Sequence, residues 1–176
     1  MPLDIGVGIL LSLGVSALFG VHATWLIMLF GIGSTLFPDI DIVTALFGKW
    51  RHRTATHYPL TYLPLVVIVW ILFDPFYAAL FGAGVLAHFI HDTIGTGWGI
   101  SWFWPFTSRR FLVLPDGPRR KEMGAFATWL PAEHPEWAHR GSHAWVRDIY
   151  FSVTTVAIVE YSALVIAAVA LWRYLR

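Results

Sequence analysis

A chain of 176 residues is long enough for one sizeable core and not for two, so a single domain over residues 1–176 is expected. Hydrophobic residues make up 57% and charged residues 13%, against about 25% charged in soluble domains, which argues for a membrane protein. The formal charge of +1 says little before its distribution is known, and no nucleic-acid partner is expected. Cysteine is absent, which excludes disulfides and thiolate metal sites, so any metal must be held by His, Asp or Glu.

The N-terminal Met1-Pro2-Leu3-Asp4 lacks the basic region of a cleaved signal peptide, so the first apolar segment, Leu3 to Phe19, is expected to belong to the mature protein. A second segment runs from Ala23 to Phe37 and ends at Pro38. A polar stretch follows with Asp39, Asp41, Lys49, Arg51, His52, Arg53 and His57. The third segment spans Tyr58 to Phe73, and Asp74-Pro75 turns the chain into the fourth, Phe76 to Ile94, which glycines at 95, 97 and 99 terminate. Residues 95–147 read as a long interfacial loop, basic and rich in Trp and Pro. The last segment, Trp145 to Leu175, is the longest. The pattern predicts an all-α integral membrane bundle of about five apolar helices, several shorter than the roughly 20 residues a span prefers.

If all five cross, ten of the twelve Lys and Arg residues fall on one side: Lys49, Arg51, Arg53, Arg109, Arg110, Arg119, Arg120, Lys121, Arg140 and Arg147. By the positive-inside rule that side is cytoplasmic. The same threading gathers Asp4, Asp39, Asp41, His52, His57, His88, His91 and Asp92 there. So many ionisable groups at one rim of an apolar bundle are costly unless something compensates them.

The sharpest motif is His88-Phe89-Ile90-His91-Asp92 at the end of the fourth segment. On a helix His88 and Asp92 stack on one face, with Cβ atoms about 5–6 Å apart, as two ligands of one divalent ion would. The plainer reading is a buried His–Asp bond that pins the helix. Phe37-Pro38-Asp39-Ile40-Asp41 offers two carboxylates, either as ligands or as a helix cap. Arg51-His52-Arg53-Thr54-Ala55-Thr56-His57 sets two imidazoles among cations, which suits an anionic substrate or a loop touching lipid headgroups. His139 and His143 lie four apart and could add a metal position; with Trp129, Trp137 and Trp145 nearby, the plainer reading is a helix lying along the interface. Trp102, Trp104 and Phe106 read as an aromatic belt. Glu160 is expensive in the last segment unless protonated or paired. His22 falls on the opposite side and is set aside.

The ordered blocks Phe37-Pro38-Asp39-Ile40-Asp41, then His52, Arg53, Thr56 and His57, then His88 and Asp92, then Trp104, Pro105, Phe106, Arg109 and Arg110 resemble the YdjM-like family of inner-membrane proteins over roughly residues 1–111. That family is described as predicted metal-dependent hydrolases, distantly similar to zinc-dependent phospholipase C and zinc nucleases. The resemblance implies a phospholipase C-like core with Asp41, His57, His88 and Asp92 as ligands and with Asp39 and His52 close by. Asp4 stands where family members often carry a His and is a further candidate ligand. Thr54 replaces a Gly typical of the His-Arg block.

The function expected is hydrolysis of a phosphoester in the inner membrane, with the site facing the cytoplasm. Two or three ions are expected, zinc first and manganese or another divalent as the alternative. Asp39 would accept or relay the proton, and Arg53 with Arg109 or Arg110 would neutralise phosphoryl oxygens. A membrane lipid or lipid-linked phosphate is the expected substrate class. The rival is a non-catalytic metal-binding or metal-transporting membrane protein, although transport needs polar groups through the bilayer, where only Glu160 and a few hydroxyls qualify. A third option is a structural protein whose His–Asp pairs tie helices together.

Overall fold

The structure, a computed structural model, describes residues 2–41, 55–94, 99–114, 124–133, 151 and 153–176. Its described residues form mainly helices: α1 (Pro2–Phe19), α2 (Trp25–Leu36), α3 (Tyr62–Leu72), α4 (Pro75–Thr93) and α5 (Thr155–Tyr174). They form two compact units.

The boundaries follow local chemistry. Thr24 caps α2 by accepting from the Ile27 amide, and Thr154 caps α5 by accepting from the Ala157 amide. Asp74 does the same for α4, its Oδ1 taking the Tyr77 amide at 3.0 Å, while Pro75 sits at the first helical position, where it loses no intrahelical bond. The third helix starts later than its apolar run suggests. Pro59–Thr61 form a 3-10 turn, and α3 begins at Tyr62, with Pro64 tolerated in the first turn. Residues 145–150 of the expected last segment lie outside the described residues, and α5 begins at Thr155.

The first unit holds α1, α2, α3, the part of α4 up to His88, and α5. Its centre is α1, which packs against both α2 and α5. Two glycines allow this. A Cβ at Gly8 would lie 2.6 Å from Ile32 Cα, and one at Gly6 would lie 3.0 Å from the Ala163 backbone. Small residues let helix backbones approach where apolar burial alone gives no preference for helix over lipid. Ser12 sits in the same seam, donating to the Gly8 and Ile27 carbonyls. Around these contacts lie two buried clusters, Ile9, Ala23, Met28 and Ala167, and Val15, Ile27, Phe76 and Leu80. Helices α1 and α2 run antiparallel, since Gly8 meets Ile32 while Thr35 Oγ1 donates to the Asp4 carbonyl at 2.8 Å. The start of α1 therefore lies beside the end of α2.

The second unit, Pro38–Leu60 and Phe89–Ser152, contains what the sequence reading missed. Part of the region expected as a loop is an antiparallel pair, β1 (Arg110–Val113) and β2 (Phe126–Trp129), with Arg110 opposite Trp129 and Val113 opposite Phe126. Ile100 bridges to Phe111 and Ile94 to Val113. Gly99 has φ +72, and a Cβ there would strike the Phe111 carbonyl, so glycine is required at this turn. Ile100, Leu112, Trp129 and Phe89 are buried in this unit's interior. Trp102 is fastened to the end of α4 by donating from Nε1 to Thr93 Oγ1 at 2.9 Å, and Tyr58 stacks on Trp104 with centroids 4.5 Å apart.

Candidate metal centre

In the first unit, Asp4 at the start of α1 faces His88 on α4, its Oδ1 3.2 Å from His88 Nδ1, with both residues buried. The contact joins positions 84 residues apart.

In the second unit the centre is His57. A 3-10 turn, Ala55–His57, delivers the ring, and Phe89 of α4 packs edge-on against it. Three carboxylates surround the imidazole. Asp39 Oδ1 lies 3.5 Å and Asp92 Oδ2 3.4 Å from Nε2, while Asp41 Oδ2 lies 3.4 Å from Nδ1. Asp39 ends the 3-10 turn Phe37–Asp39, Asp41 follows two residues on, and Asp92 comes from the last turn of α4. The His57 and Asp41 side chains are each 1% exposed, Asp92 5% and Asp39 13%. Thr56 Oγ1 stands between the ring and Asp41, donating to Asp41 Oδ2 at 2.8 Å and lying 3.0 Å from His57 Nδ1.

Burial by itself would pull the His57 imidazole below its usual 6.5. Hydrogen bonding to Asp39, Asp41 and Asp92, with the charge of Asp92, outweighs it and pushes the pKa up to about 10. Separations of 3.4–3.5 Å are long for charge-assisted hydrogen bonds, which run at about 2.7–2.9 Å. They match the spacing of neighbouring donors around one ion: bonds of about 2.1 Å in a tetrahedral shell set the donors about 3.4 Å apart. Imidazole nitrogen and carboxylate oxygen are donor types suited to zinc or manganese. A His/Asp cluster that includes Asp39 and His57 could hold a metal ion.

A family model described as YdjM inner membrane protein matches residues 4–173. The chain belongs to this family. Membership, together with two helices long and apolar enough to cross a bilayer, Pro2–Phe19 and Thr155–Tyr174, makes it a membrane protein. Comparison with curated proteins gave no match, and comparison with solved structures gave none either.

In this YdjM family member the residues singled out from sequence separate into groups. His57 has Asp39, Asp41 and Asp92 around it, and His88 has Asp4. Arg109 stands just before β1, its guanidinium donating to Thr128 Oγ1 at 3.2 Å, and Arg110 lies over the Trp129 ring at 5.3 Å. His52, Arg53, His139 and His143 lie outside the described residues. Glu160 is buried on α5, with Oε2 3.5 Å from the Leu3 amide. Thr56 matched a family motif without a role from sequence; its place immediately before a buried His was the signal available.

Proposed function

We propose that this protein is a metal-dependent hydrolase of phosphoesters, acting at the inner membrane on a phospholipid or lipid-linked phosphate. One observation carries the metal reading: His57 Nε2 lies 3.5 and 3.4 Å from the Asp39 and Asp92 carboxylates in a buried setting. His88 precedes Asp92 by one turn of α4, on the same face, and the family resemblance makes it a further candidate ligand. Asp4, at His88 Nδ1, orients that ring as carboxylates orient zinc-bound histidines.

A bound divalent ion, zinc by preference, would supply Lewis acidity and bring the pKa of a water to about 7. Asp39, the most exposed of the three carboxylates around His57, would pass a proton outward. Arg53 and Arg109 would neutralise phosphoryl oxygens. The exposed Phe103 and Phe106 suit a site at headgroup depth, with several helices crossing and the site facing the cytoplasm. The phosphoester assignment itself rests on the distant likeness to zinc phospholipases and nucleases that the family resemblance implies, and on the anionic substrate that Arg53 and Arg109 would suit.

A second reading, a held and non-catalytic metal, is favoured by the near-complete burial of His57 and Asp41. Elemental analysis of the purified protein, with His57→Ala and Asp92→Ala, tests the metal: at least one equivalent is expected in the wild type, and less in each variant. Assays with zinc or manganese on phospholipids, lipid-linked phosphates and soluble phosphoesters then separate the readings. Bound metal without product from any class leaves the second; absence of metal removes both.

A further inference from the structure

We propose that Thr56 is a positioning residue that sets which nitrogen of His57 is presented to Asp39 and Asp92. The inference rests on the metal reading above and concerns a side chain to which that reading gives no role.

A threonine hydroxyl has one hydrogen to donate and lone pairs to accept. The shorter contact, 2.8 Å, runs to Asp41 Oδ2 with Thr56 as the donor, so the hydroxyl hydrogen lies there. Toward His57 Nδ1, at 3.0 Å, the same oxygen can then only accept, and Nδ1 must be the N–H donor. In the neutral ring, a proton on Nδ1 leaves the lone pair on Nε2, the nitrogen that faces Asp39 and Asp92. The direct approach of Asp41 Oδ2 to Nδ1, 3.4 Å, is too long to fix the tautomer alone. The hydroxyl supplies the two short links that the carboxylate lacks. Asp41 thus acts through Thr56, and the pair hold the ring from behind.

The experiment uses the full chain in detergent and compares wild type, Thr56→Val and Thr56→Ser. Valine keeps the shape and removes the hydroxyl; serine restores it. Zinc affinity is measured by competition with a chromogenic chelator, with circular dichroism as the control for folding. Thr56→Val is expected to bind zinc roughly 10- to 100-fold more weakly, and Thr56→Ser to recover most of the loss. Side-chain nitrogen NMR of His57 in the zinc-loaded wild type is expected to show the proton on Nδ1. Equal affinity in Thr56→Val, a serine variant as weak as the valine one, or zinc on Nδ1 would each overturn the proposal. A wild type that takes up no zinc defeats the metal reading. The hydroxyl link is then judged on the metal-free protein: an Nδ1 proton protected from exchange in the wild type and not in Thr56→Val upholds it, and equal exchange overturns it.

Discussion

The two nitrogens of His57 face different carboxylates, and that division makes Asp39 and Asp41 experimentally separable although they stand two residues apart. Asp39→Ala, which removes a donor on the Nε2 side, is expected to abolish stoichiometric zinc uptake. Asp41→Asn is expected to keep the stoichiometry and lower affinity by roughly 10- to 100-fold, as read by zinc titration. The same histidine predicts a pH dependence for the metal-free protein. Its pKa is raised on folding, from 6.5 to about 10, so the stability it contributes is complete below pH 6.5 and is lost as pH rises through about 10. Melting of chelator-treated protein should therefore fall across that interval, and His57→Gln should flatten the fall. From sequence, His57 and Asp92 were legible as costly groups next to apolar segments. Asp39 and Asp41 were equally legible, but nothing in an Asp-x-Asp spacing says which side of a distant ring each will meet.

At the scale of elements, α1 is set by contact rather than by composition. Gly8→Leu is expected to destabilise the fold by about 1–3 kcal/mol or more, because the new side chain meets the Ile32 backbone and not a movable side chain. Gly14→Leu is the control, since a Cβ there meets nothing within 4 Å. Thermal melting of the two variants in detergent checks the difference. Helices were legible because long apolar runs ended by Asp-Pro, Thr or Gly leave few alternatives. The hairpin was not. In β2 the alternation of burial is carried by an exposed Phe126, a buried Ala127, an exposed Thr128 and a buried Trp129, so apolar character does not follow the buried face. Four-residue strands in a Trp- and Pro-rich stretch give too short a period to read.

For the whole molecule, family membership and the two long apolar helices establish a membrane protein, and orientation is the next question. The lack of any cysteine makes accessibility labelling direct. With the basic side cytoplasmic, Phe106→Cys, at a position 85% exposed, is expected to react with a membrane-impermeant maleimide only after the cells are opened. Val21→Cys is expected to react in intact cells. The reverse pattern would place the His57 cluster on the outer side and remove the case for a cytoplasmic substrate.

Sequence by itself determined the solvent and the suspects. Its apolar content calls for helices in a bilayer, and the cost of ionisable groups beside such helices singled out Asp4, Asp39, Asp41, His52, His57, His88, His91 and Asp92. Only tertiary structure decided the pairings: Asp4 with His88, Thr56 between His57 and Asp41, and Asp39 and Asp92 on one ring nitrogen. The reason is physical. Helical period fixes which residues share a face of one helix, whereas the partner of a ring nitrogen depends on turns and packing contacts between segments far apart in the chain.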